Sequence, residues 1–277
     1  MSAPESEVAS EVASEVASWT TCWRLERRDG VTIGLTAHDR DLVVEGLLCR
    51  AAPGLSPSAV TLSDGLEAGA MDVTGALTHA AITEADLLAG RWDGARVAVS
   101  LVDWRDPAVV VPLCEGRIGD VELKDGGFAA ALDGPAARLE RPVAEETSPD
   151  CRAELGDRRC RVAMAARVRL ARVVAADGLA VTLDATEPAP DGWGNGRLRW
   201  LGGRNTGLAA RVVRSDGAVL TLAVAPAFPV AAGTLVEVTE GCDKRLATCA
   251  GRFGNAANFR GEPFLPGIDL LTRYPGQ

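Results

Sequence analysis

Ala171-Arg-Val-Val-Ala-Ala-Asp-Gly-Leu-Ala-Val-Thr-Leu183 is the stretch that decides the fold class. It reads as two alternating strands on either side of Asp177-Gly178, a tight-turn dipeptide. Thirty-nine residues later, Ala210-Arg-Val-Val-Arg-Ser-Asp-Gly-Ala-Val-Leu-Thr-Leu222 repeats eight of the thirteen positions. The object implied is a small β-barrel or a pair of packed hairpins. Shared hairpin chemistry explains much of the match, so the echo alone does not establish a duplicated domain. Between the copies, Asp191-Gly-Trp-Gly-Asn-Gly196 and Gly202-Gly-Arg-Asn-Thr-Gly207 read as loops.

The same alternation extends through the first half. Val31-Thr-Ile-Gly-Leu-Thr36 follows an Asp29-Gly30 turn, Arg96–Val102 alternates, and Gly119–Leu132 reads as a hairpin around Asp125-Gly126. One short helix is expected near Thr83–Gly90, with Thr83 as N-cap, Asp86 three residues on and Gly90 at the stop. Residues 1–18, three rounds of Ser-Glu-Val-Ala, read as a low-complexity tail, because one small apolar residue per turn buries little. The fold class expected is mainly β: an N-terminal barrel- or sandwich-like domain over residues 19–147 and a smaller C-terminal β domain over 148–277.

Charge supports that division. Residues 1–150 hold 26 acids and 12 bases, whereas residues 151–277 hold 12 acids and 17 bases. The whole chain of 277 residues carries −9, which disfavours a free nucleic-acid-binding domain. No apolar run approaches the roughly 18–20 residues of a membrane span. The acidic N-terminus lacks the basic-then-apolar order of a signal peptide, which points to cytoplasmic synthesis, where thiols stay reduced.

Four of the seven cysteines stand apart. Cys22, Cys49 and Cys114 lie in apolar, strand-like contexts and read as small core residues. Cys151–Cys160 and Cys242–Cys249 form two pairs in turn-like sequence that bracket the repeated hairpins. Closing the β unit between them brings the pairs together, and four thiols in a reducing compartment read as a metal site before disulfides. Structural zinc favours chelating pairs with two to four intervening residues. The gaps here are eight and six, looser than zinc prefers and tolerable for an iron–sulfur cluster. Arg152, Arg158, Arg159 and Arg161 flank the first pair, and Lys244, Arg245 and Arg252 the second. Cations there would lower thiol pKa values and offset the charge of a thiolate site, without choosing the metal.

Cys242-Asp-Lys-Arg-Leu-Ala-Thr-Cys249, followed by Arg252-Phe-Gly-Asn-Ala-Ala-Asn-Phe-Arg-Gly-Glu-Pro-Phe-Leu-Pro-Gly267, resembles the C-terminal motif of phage tail-tip hub proteins. That group includes the hubs of gene transfer agents and, more distantly, the tail-tip protein L of phage lambda. Cys151–Cys160 resembles the family's first cysteine pair. Trp23-Arg, Arg28-Asp-Gly30, Gly34-Leu-Thr-Ala-His-Asp-Arg-Asp41, Gly90-Arg-Trp-Asp-Gly-Ala95 and Val102-Asp-Trp104 extend the likeness to about residues 19–270. The resemblance implies a virion structural protein at the tail tip. It implies a [4Fe–4S] cluster held by Cys151, Cys160, Cys242 and Cys249, and a homotrimer joining the tail tube and distal tail protein to tip and fibre proteins. DNA would then transit a lumen without specific binding, and the acidic half suits such a channel because carboxylates repel phosphates.

The competing functions are an iron–sulfur electron-transfer or redox-sensing protein and a zinc-stabilised binding module. An enzyme is not expected: there is no nucleophile elbow, P-loop or His-Glu-x-x-His, and His38 and His79 read as structural or surface residues. Phe253, Phe259 and Phe264 read as plugs for a small core or, with Asn255 and Asn258, as a cover over the cluster.

Overall fold

The computed structural model describes residues 18–52, 55–57, 70–76, 82–124, 127–133 and 145–265. The chain divides into two compact units, Met1–Pro142 and Val143–Gln277.

The first unit is one nine-stranded sheet with the order β3-β4-β2-β1-β7-β8-β9-β6-β5. Its strands are β1 (Trp19–Glu26), β2 (Thr32–Thr36), β3 (Leu42–Val44), β4 (Leu47–Ala51), β5 (Leu55–Pro57), β6 (Ala70–Ala76), β7 (Arg96–Asp103), β8 (Val110–Lys124) and β9 (Gly127–Asp133). Alternation along β1 sends Trp23 and Leu25 into a core with Leu35, Ile82, Leu87, Trp92, Val97, Val99 and Ile118. The opposite face carries Cys22, which packs with Val44, Cys49 and Val102. Gly34 makes room there, since a Cβ at that position would lie 2.8 Å from the Cys49 Sγ and 2.9 Å from the Leu48 carbonyl oxygen. Cys22 and Cys49 are therefore core residues, and Cys114 is half-buried. Ser18, assigned above to the tail, is already buried, and its carbonyl accepts the Trp104 amide at 2.9 Å.

Helix α1 (Glu84–Leu88) starts where its sequence says, the Thr83 hydroxyl accepting the Asp86 amide at 3.1 Å and Gly90 adopting φ +71° beyond its end. The β8–β9 register pairs Lys124 with Gly127, but Asp125, Gly126 and His79 lie outside the described residues. Among the described residues, no helix is long and apolar enough to cross a membrane.

The second unit holds a closed six-stranded barrel, ordered β10-β11-β14-β13-β12-β15. The strands are β10 (Val168–Asp177), β11 (Ala180–Leu183), β12 (Arg197–Trp200), β13 (Ala209–Asp216), β14 (Val219–Leu222) and β15 (Leu235–Thr239). The echo becomes geometry here. Val181 and Leu220, equivalent at an offset of 39, pair with each other, flanked by Ala180↔Thr221 and Thr182↔Val219. The Leu183 amide reaches the Ala218 carbonyl at 2.9 Å, mirrored by Leu222 to Leu179 at 2.8 Å. Both copies carry an irregularity at the same point, between Val173 and Ala175 and between Val212 and Arg214. The barrel is thus a pseudo-two-fold pair of β-units. Closure leaves no exposed strand edge and buries Val173, Val181, Leu198, Trp200, Val212, Leu220, Val236 and Val238 in one core with Trp193.

Candidate metal centre

Two stretches of the second unit carry the four paired cysteines, and main-chain hydrogen bonds interlace them with each other and with the chain around Arg260. The Cys151 amide donates to the Lys244 carbonyl at 2.8 Å, and the Arg152 amide to the Arg260 carbonyl at 3.0 Å. Asp157 folds the loop between Cys151 and Cys160 around its carboxylate, which accepts the amides of Cys160 at 2.6 Å, Arg159 at 2.8 Å and Glu154 at 3.0 Å. Those N–H groups, Cys160 foremost, hold the Asp157 carboxyl below its ordinary range. Cys249 rides on the short helix α2 (Leu246–Gly251). Asp243 organises the approach to that helix, accepting the Arg245 amide at 3.0 Å and the Thr248 hydroxyl at 2.8 Å.

N–H groups point at three of the four sulfurs. The Arg260 amide lies 3.3 Å from Cys151 Sγ and the Lys244 amide 3.4 Å from Cys242 Sγ. Asn255 Nδ2 lies 3.7 Å from Cys160 Sγ while donating to the Cys160 carbonyl at 2.6 Å. Asn258 fixes that amide by donating to Asn255 Oδ1 at 2.7 Å, and the Asn255 main-chain amide donates to the Cys249 carbonyl at 2.9 Å. Asn255 thus links the second cysteine to the fourth.

Burial pushes the Cys249 thiol up, and the neighbouring Cys151, Cys242 and Cys160 push it the same way. Burial also raises Cys242, with Asp243 and Cys151 adding to it and the Lys244 amide and ammonium opposing. The hydrogen bonds Cys151–Lys244, Lys244–Cys242, Asn255–Cys160 and Asn255–Cys249 tie the segments of the four cysteines to one another. Among the described residues, however, no three His, Cys, Asp or Glu side chains gather closely enough to hold a single metal ion.

Four of the flanking cations have carboxylate partners of their own. Arg152 forks onto Glu262 at 2.6 and 2.8 Å, and Arg159 pairs with Glu145. Lys244 donates to the Ala153 carbonyl at 2.6 Å and pairs with Glu154 at 3.0 Å. Arg252 is bound to Glu240. Burial outweighs the lowering pull of Lys244 on Cys242, so Cys242 and Cys249 rise, opposite to the direction the flanking cations alone would give. Phe264 is a second correction: it is 88% exposed and plugs no core. Phe253 instead lies against two guanidiniums, Arg167 and Arg252, at 4.7 and 4.9 Å from its ring centroid.

The sequence reading missed Glu240 and Arg167. Glu240 is buried at the exit of β15, and its Oε2 accepts Arg167 at 2.8 Å and Arg252 at 2.6 Å. No motif announces this contact, because the partners lie 73 and 12 residues away. His38 sits in a polar turn, its Nδ1 accepting the Arg40 amide at 3.1 Å and its ring 5.4 Å from Trp104.

Comparison with known proteins defines the class. Residues 5–163 match the family described as baseplate hub protein, N-terminal attachment domain, and residues 191–269 match the phage conserved hypothetical protein BR0599. No curated protein matches the chain. The fold is similar to a chain in the virion of a native gene transfer agent particle, with 36% identity and a TM-score of 0.85, over 98% of this chain and 96% of that one. This is a structural protein of a virion tail. The chain belongs to the baseplate hub family.

Proposed function

We propose that the chain is the hub of the tail tip, a homotrimer that links the tail tube and distal tail protein to the tip and fibre proteins. The observation that carries this reading is the near full-length likeness to a chain of a gene transfer agent virion. The acidic first half lines a lumen through which DNA slides without sticking.

Cys151, Cys160, Cys242 and Cys249 hold a [4Fe–4S] cluster in this reading. The donor set fits such a group. Hydrogen bonds tie the segments of all four cysteines together, and N–H groups reach three of the sulfurs. The wide spacing within each cysteine pair favours a polynuclear cluster over zinc. When bound, the cluster supplies iron–thiolate bonds between segments about 90 residues apart in sequence, reducing the freedom of the unfolded chain. Its role is structural first. The protein supplies the interlaced loops, and the thiols must release their protons on loading although burial holds two of them up.

Anaerobic purification of the full chain, followed by iron, sulfide and zinc analysis, tests the metal. About four irons and four sulfides per chain is the expected result. Stoichiometric zinc without sulfide would establish the zinc-stabilised alternative. Reversible reduction at physiological potential in a chain that neither trimerises nor enters tails would establish the electron-transfer alternative.

A further inference from the structure

Glu240 lies two residues before Cys242, and Arg252 three residues after Cys249, just past α2. Arg167 leads into β10, seven residues after Cys160. One carboxylate oxygen receives both guanidiniums. The Glu240 amide also donates to the Arg167 carbonyl at 3.0 Å. Arg252 further donates to the Gly192 carbonyl at 2.7 Å and the Gly241 carbonyl at 3.3 Å. A single buried group therefore fastens three chain segments, each leading to or from a different cysteine. Phe253 lies against both guanidiniums, and burial of the Glu240 carboxylate strengthens the charged hydrogen bonds.

We propose that Glu240 is a positioning residue for the cysteine site, holding the Cys242 strand exit, the Cys249 helix and the chain leaving Cys160 in register through Arg252 and Arg167. The inference rests on the reading that these thiols hold an iron–sulfur cluster. The barrel interior is complete without Glu240, since its buried residues come from the strands and Trp193. The carboxylate sits just beyond β15. Its work is therefore to relate the cysteine segments to one another.

The test uses the anaerobically purified full chain and two variants. Glu240→Gln keeps the size and an acceptor but removes the charge. Arg252→Lys keeps the charge but loses the planar fork that reaches several oxygens at once. Iron release to a chelator is followed together with the electron paramagnetic resonance of the reduced cluster and hydrogen exchange of the β12 and β15 amides. Both variants are expected to release iron about tenfold faster or more, with an altered resonance and unchanged barrel exchange. Wild-type release rates and resonance in both variants would overturn the inference. So would loss of barrel protection in step with the iron, which would make Glu240 a barrel residue. A wild-type chain without iron and sulfide would overturn the cluster reading itself, an outcome distinct from iron-loaded variants that behave as wild type.

Discussion

Gly241→Ala tests how tightly the strand exit before Cys242 is seated. A Cβ there would lie 1.9 Å from the Gly194 carbonyl oxygen, 2.2 Å from the Gly196 nitrogen and 2.3 Å from the Asn195 carbonyl carbon. All three obstacles are main chain, so no side chain can swing away. Restoring contacts of 3.0 Å requires the two backbones to part by about 1 Å. That separation also breaks the Gly241 amide bond to the Gly192 carbonyl, 3.3 Å long as it stands. Overpacking costs about 1–3 kcal/mol, and the obstacles put this case at the upper end. The hydrogen bond adds about 1 kcal/mol, for a total of roughly 3–4 kcal/mol. For a unit of this size the melting temperature should fall by about 10 °C. Calorimetry on the full chain, under one fixed reducing condition, resolves such a change. Gly251→Ala is the control, because nothing lies within 4 Å of its Cβ and it ends helix α2. It should be neutral or stabilise by up to about 1 kcal/mol. A Gly241→Ala protein melting within about 2 °C of wild type would refute the steric argument.

Leu220→Ala should cost about 3–4 kcal/mol, because Leu220 is 0% exposed at the pseudo-two-fold centre of the barrel, whereas Val213→Ala, at a site 52% exposed, should change stability by less than about 0.5 kcal/mol. Urea unfolding compares them, and equal losses would contradict the barrel packing. Thr83→Ala removes the hydroxyl that caps α1 and should destabilise by about 1 kcal/mol, while Thr83→Ser should keep nearly all of the cap; similar losses for both in denaturant titrations would dismiss the cap. Arg152 holds the Glu262 carboxyl down to about 2, helped by the Ser148 amide. A depressed carboxylate stabilises the fold above its unfolded value of about 4.5 and loses that contribution as pH falls through about 2. Exchange at the Ser148 and Arg152 amides, corrected for intrinsic rates, should therefore rise between pH 4.5 and 2. A flat profile would exclude the clamp.

Much of the fold is written locally. The Asp177-Gly178 and Asp216-Gly217 turns place glycine first in two-residue loops, at φ +53° and +60°, and alternation on either side decides which residues face inward. The α1 cap is equally local, since Thr83 and Asp86 are three residues apart. The four cysteines stood out as a set because two spaced pairs bracket the repeated hairpins.

Other features belong to the tertiary structure alone. Pseudo-two-fold closure depends on Val181 meeting Leu220, a pairing that spacing permits but does not compel. Burial raises Cys242 and Cys249 where neighbouring cations alone point the other way, and Arg152 and Arg159 are answered by Glu262 and Glu145, far along the chain or across a loop. Glu240 shows the reason most plainly. Turns and alternation arise from interactions between residues a few positions apart, so they leave a pattern in sequence. The oxygen shared by Arg167 and Arg252 draws on partners 73 and 12 residues away, and only the closed barrel brings them within reach.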